Sequence, residues 1–140
     1  MRISSIAIAL SVTIGPALLM PLLITTAQAV QDQPAMIGGV ETVCTGVGSA
    51  KDNPAWSAYP VKLVFANAAG QNLAQVHVAV LQGAKAVVET DCDAPWLLMK
   101  LPAGSYSVAA TVGARSGKAS FTTKGGAQQE VTVMLPAAGQ

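Results

Sequence analysis

From residue 60 onward the chain alternates. Val61, Leu63 and Phe65 are interleaved with Lys62, Val64 and Ala66, the period of two that a strand with one buried face requires. A turn at Asn67-Ala68-Ala69-Gly70 leads to Leu73–Leu81, where Val76, Val78 and Val80 share one face and Gln75, His77 and Ala79 the other. Gly83-Ala84 turns the chain into a short run from Ala86 to Thr90 that carries Val87 and Val88. Asp91-Cys92-Asp93-Ala94-Pro95 reads as a loop, because Asp and Pro both disfavour a central strand. Trp96 to Leu101 is apolar except for Lys100, which predicts a strand covered on both faces. In Leu101-Pro102-Ala103-Gly104 the proline presets φ at the second position of a turn, and the glycine accepts a positive φ or ends the turn. Tyr106, Val108, Ala110 and Val112 then alternate with Ser105, Ser107, Ala109 and Thr111. Arg115-Ser116-Gly117 reads as a turn, Lys118–Thr123 as a strand around Phe121, and Lys124-Gly125-Gly126 as a break. Gln129–Leu135 closes the pattern with Val131, Val133 and Leu135 inward.

Seven short strands with regularly spaced turn signals, and no amphipathic helix after residue 60, describe an all-β sandwich of Ig-like architecture. Residues 30–58 show neither period. Gly38-Gly39, Gly46, Gly48 and Asn53-Pro54 make them read as an irregular arm, closed by Trp56 and Tyr59. Those two aromatics either pack the arm onto the sandwich or offer a ligand a stacking surface. At the front, Met1-Arg2 precedes an uncharged apolar run from Ile3 to Ile24, and Ala27-Gln28-Ala29 gives a small-x-small cleavage pattern. Residues 1–29 therefore read as a Sec-type signal peptide, and the alternative is an uncleaved membrane anchor. The expected organisation is signal peptide 1–29, arm 30–58, sandwich 59–136 and tail 137–140, in a periplasmic or secreted protein with no membrane span after cleavage.

Charge narrows the partners. Without Arg2 the chain carries seven cationic and seven acidic side chains, so it offers no electrostatic footprint for nucleic acid or anionic lipid. An envelope protein or a glycan, met through shape and polar contacts, is the class of partner left. Cys44 and Cys92 are the only cysteines, and an even pair in an oxidising compartment favours a disulfide. Two free thiols or half a metal site are the alternatives.

Candidate chemistry is sparse. His77 is the only histidine, and its parity puts it opposite the core face of its strand, where a general base would need a nucleophile and an orienting carboxylate beside it. Asp91 and Asp93, with Glu89 nearby, could offer oxygens to Ca²⁺, but a calcium loop supplies more ligands than this stretch, so a solvated turn is the expectation. Met36, Met99 and Met134 are too scattered for a Cu(I) site and read as core or rim packing. Trp56 and Trp96 could make a sugar-stacking surface. Trp96 is expected to cap the core and Trp56 to be the freer ring, which leaves Trp56 and Tyr59 as the candidate ligand contacts. No phosphate-binding glycine loop and no Gly-x-Ser-x-Gly elbow occurs. No catalytic residue, metal or cofactor is assigned.

The run Leu101-Pro102-Ala103-Gly104-Ser105-Tyr106-Ser107-Val108, with Gly113, the Lys118–Thr123 strand, Gly125-Gly126 and the last strand, resembles the carboxypeptidase regulatory-like domain family. Tyr59–Ala66 and Pro95–Leu98 extend the likeness, so that it covers residues 59–136. Trp96, Pro102, Gly104 and Tyr106 are its fold signature. The resemblance implies a seven-stranded prealbumin-like sandwich serving as a non-catalytic module. It does not imply peptidase activity, since the zinc site of metallocarboxypeptidases needs two histidines and a glutamate and this chain has one histidine. The transthyretin-like hydrolases, also prealbumin-like, use several histidines and an Arg-rich C-terminal signature that are missing here. The expected function is thus an exported binding or structural module. A carbohydrate- or peptide-recognition domain is the second reading, and a periplasmic metal-binding protein the third.

Overall fold

Every alternating segment after residue 60 becomes a strand whose apolar parity faces one core. The computed structural model describes residues 30–136 and the isolated Gly15; the rest of the expected signal peptide and the 137–140 tail lie outside the described residues. The strands are β1 (Ala35–Ile37), β2 (Val40–Thr45), β3 (Val61–Asn67), β4 (Val76–Gln82), β5 (Lys85–Cys92), β6 (Trp96–Met99), β7 (Gly104–Val112), β8 (Arg115–Thr123) and β9 (Gln129–Leu135). They form two sheets, ordered β1-β2-β6-β3-β9 and β5-β4-β7-β8. Pairing is antiparallel except between β3 and β9, which run parallel over seven positions. Among the described residues no helix is long and apolar enough to cross a membrane.

The core lies between the sheets. Leu63 and Phe65 from β3, Val76, Val78 and Val80 from β4, Leu97 and Met99 from β6 and Val108 from β7 are all at or near zero exposure. Each such side chain contributes about 1.5–3 kcal/mol through burial. Tyr106 and Phe121, opposite each other on β7 and β8, stack with ring centres 5.6 Å apart. The Tyr106 hydroxyl donates to the Pro102 carbonyl at 2.7 Å, so the Pro-x-Gly-x-Tyr run closes on itself. Gly104 begins β7 rather than supplying a left-handed turn residue.

The two seams where the sheets meet are closed by edge strands. At one, β8 approaches β9 so closely that a Cβ on Gly117 would collide with the Met134 carbonyl oxygen. At the other, a Cβ on Gly38, in the turn after β1, would collide with the Val87 carbonyl oxygen of β5. The Cys44–Cys92 disulfide joins β2 to β5 along this same side, with both sulfurs fully buried.

Several expectations change. All seven expected strands are present, but the count among the described residues is nine, because residues 30–58 are not an irregular arm. They contain β1 and β2, and β2 pairs with β6 inside the five-stranded sheet. The β4 strand starts at Val76 instead of Leu73, since Gln75 takes a left-handed φ of 60° that a strand cannot use. The β7–β8 turn is at Gly113-Ala114, with φ of 58° at Gly113, so Arg115, Ser116 and Gly117 belong to β8. Asp91 and Cys92 lie on β5, and only Asp93 to Pro95 form the loop.

Candidate functional site

The outer face of the five-stranded sheet is where side chains converge. Two short 3₁₀ turns, Gly48–Asp52 and Pro54–Ala58, cross over it. Asn53 opens the second turn by accepting from the Ala55 N–H at 2.9 Å, and Pro54 at its first position loses no needed donor. The Trp56 indole N–H donates to the Ala50 carbonyl at 2.7 Å, which ties the two turns together. Trp56, Tyr59, Val43 and Leu98 then form a second small core on this face. Trp56 and Tyr59 meet edge to face, with ring centres 6.1 Å apart.

Tyr59 is therefore a packing residue. Burial, with the Glu41 carboxylate beside its hydroxyl, pushes its pKa up to about 12. Lys100 bonds Glu41 at 2.6 Å and holds that carboxyl below its ordinary value. Both expected ligand contacts are largely buried, Trp56 at 7% exposed and Tyr59 at 3%. Trp96 takes the opposite role to the one expected. It is half-buried at the start of β6, with Gly46 against its ring: a Cβ at Gly46 would lie 2.7 Å from the indole Cγ.

Beside Trp96 lies a cleft of about 200 Å³, lined by Asn53, Trp56, Lys62, Trp96, Leu98 and Gln128 with Lys51 and Asp52 at hand. Gln128 Nε2 donates to the Trp56 carbonyl at 2.8 Å, fixing the wall that precedes β9. The Lys62 ammonium lies over the Trp96 ring, 3.5 Å from its centre. Unengaged by other described groups are the Trp96 indole N–H, the Asn53 amide NH₂, the Lys51 ammonium, the Asp52 carboxylate and the Gln128 amide oxygen. The cleft thus offers an aromatic edge and a mixture of donors and acceptors. Sequence reasoning named Trp96 but missed Asn53, Lys62 and Gln128. Outward parity marks Lys62, yet only the β3–β6 register, with Val64 opposite Trp96, brings the two together.

On the other sheet His77 stands on the outer face as expected, and its neighbours are now visible. Asp91 is directly across on β5, with Oδ1 2.7 Å from Nδ1, and Glu89 Oε1 is 3.1 Å from Nε2. Carboxylates that only accept require a donor at each ring nitrogen, so making both contacts at once favours the protonated ring. The hydrogen bond to Asp91 chiefly raises its pKa, with Glu89 adding to it against partial burial. Both nitrogens being engaged, no lone pair remains to activate the exposed Thr111 hydroxyl across the sheet on β7. The carboxylates take different ring nitrogens, which makes an ion triad rather than a shared cation site. Among the described residues no group of three or more His, Cys, Asp or Glu side chains is arranged to hold a metal. Asp91 is thus occupied by His77 on a strand. Met99 is core, whereas Met36 and Met134 are 64% and 49% exposed.

Two further indentations are of different character. A shallow trough over β7 and β8 is floored by Ser105, Ser107, Ser120 and Thr122, and an apolar notch lies among Val40, Val87, Leu101 and Tyr106. Neither combines an exposed aromatic ring with free donors and acceptors. No family model matches the chain, and no curated protein matches it.

Proposed function

We propose that this chain is an exported, non-catalytic recognition module of the cell envelope that binds a polyhydroxylated ligand, a glycan, in the cleft beside Trp96. The observation that carries the reading is the cleft's make-up. Sugar hydroxyls donate and accept at once, and a pyranose presents an apolar C–H face. An indole with free amide, ammonium and carboxylate groups around it matches both demands. At about 200 Å³ the cleft is smaller than the ~300–1,000 Å³ of drug-sized ligand sites, which suits one ring or one chain end.

Peptide recognition by strand addition is less well supported. An incoming strand needs a free sheet edge, and here β8 packs against β9 while the β1 turn packs against β5. The non-catalytic part is supported by the commitment of both His77 nitrogens. The buried disulfide is consistent with export. A two-sheet sandwich and the Tyr106–Pro102 bond support kinship with the carboxypeptidase regulatory-like domains, whose hairpin motif that bond would explain.

The test is binding of the purified chain to arrays of oligosaccharides and peptidoglycan fragments, alongside a Trp96→Ala variant checked for fold by circular dichroism. Saturable binding that disappears in the variant is the expected result. No binding by the wild type, or a hydrolase activity lost in His77→Ala, overturns the proposal.

A further inference from the structure

Lys62 occupies the surface that a saccharide ring needs. Its ammonium sits 3.5 Å from the centre of the Trp96 ring and 3.7 Å from Glu130 Oε2, its neighbour in the parallel β3–β9 register. The Lys62 side chain is 16% exposed and that of Glu130 60%. The backbone at Gly46 already packs on the indole. A sugar can therefore stack on Trp96 only after Lys62 has moved off it.

Resting on the glycan reading, the geometry points to Lys62 as the movable cover and the specificity-determining residue of this cleft, one that selects saccharides bearing a carboxylate or sulfate over neutral ones. A neutral sugar that displaces Lys62 breaks the cation–π contact and offers the ammonium only hydroxyl oxygens, with no charge to replace the ring. The remaining partner, Glu130, is mostly in water at 3.7 Å, and such exposed pairs contribute little. An acidic sugar supplies an anion as it takes the ring, so the ammonium exchanges one partner for another without being left unpaired. The lining itself leans the same way: Lys51 and Lys62 face a single acid, Asp52.

The experiment titrates the full chain with trigalacturonate, with its neutral counterpart α-1,4-galactotriose and with neutral N,N′,N″-triacetylchitotriose, by calorimetry and tryptophan fluorescence, at low and high salt. The wild type should bind trigalacturonate about tenfold or more tighter than either neutral sugar, and salt should narrow that gap. Lys62→Met should abolish the preference while leaving neutral binding equal or tighter, since no charged contact then has to be broken. Lys62→Gln serves as the second variant should the methionine form misfold. A preference that survives both substitutions, an equal loss for acidic and neutral sugars, or a gap insensitive to salt overturns the cover while leaving the glycan reading intact. Binding of neither sugar class to the wild type overturns both.

Discussion

Removing the Cys44–Cys92 bond should cost this domain a large part of its stability. The bond closes a loop of 48 residues between strands of different sheets, β2 and β5. On the chain-entropy relation, closing that loop removes about 14 cal/mol/K from the unfolded chain, or about 4 kcal/mol at 25 °C. Domains of this size are held by only about 5–15 kcal/mol in total, and about 4–8 °C of melting temperature accompanies each kcal/mol, so a fall of roughly 15–30 °C is expected. Urea unfolding of Cys44→Ala/Cys92→Ala against the wild type, followed by tryptophan fluorescence, measures it. The slope against urea should also rise in the variant, because its unfolded chain is free to expand. Both sulfurs are fully buried, so the folded wild type should resist dithiothreitol until urea opens it. Wild type reduced in urea should then follow the variant's curve, which separates the lost cross-link from the lost sulfur packing. A loss under about 1 kcal/mol with an unchanged slope refutes the argument, since the loop-closure relation would then not describe this chain.

Gly117→Ala should destabilise by about 1–3 kcal/mol as β9 is pushed off β8, whereas Gly126→Ala, with open space around it, should stay within about 0.5 kcal/mol; equal melting temperatures for the two would refute the seam. Tyr106→Phe keeps the stacked ring and deletes the bond to Pro102, so thermal unfolding should register a loss of about 0.5–1.5 kcal/mol. His77 should titrate above its ordinary 6.5 in an NMR pH series, and Asp91→Asn should bring it down. Because the folded value is the raised one, the triad's contribution is present in full below pH 6.5 and is lost as pH rises through the folded value. A measured value at or below 6.5 would contradict the triad.

How legible the fold was depended on burial. Strands with one wet face, such as Val76–Gln82 and Gly104–Val112, announced themselves by alternation. The β6 run ends at Met99 rather than at the expected Leu101, but it reads correctly as covered on both faces: Leu97 and Met99 point to the main core and Leu98 to the second one. By the same physics β2 was missed. Val40–Thr45 is buried at five of six positions, so it has no alternation to show, and glycines surround it. Its β-branched Val40, Thr42, Val43 and Thr45 between Gly38-Gly39 and Gly46 were the available signal. The site was less legible than the fold, because a cleft is made by register. Nothing in sequence spacing pairs Val64 with Trp96 or brings Gln128 to Trp56.

The segment that reads as an irregular arm in the sequence is what gives this sandwich its cleft. Without residues 46–58, the outer face of β2 and β6 would present Val43, Leu98 and Trp96 to water on a flat sheet. The two 3₁₀ turns bury Val43 and Leu98 under Trp56 and Tyr59, yet stop short of Trp96, and the step between covered and uncovered sheet is the cleft. One indole is spent on stability and the other is left at the rim. That division follows from local chemistry: the Ala50 carbonyl satisfies Trp56 and lets it be buried, whereas Trp96 Nε1 has no acceptor among the described residues and stays at the solvent boundary. On the proposed reading, recognition and folding share one wall, and a change that loosens Gln128 or Asn53 should weaken both together.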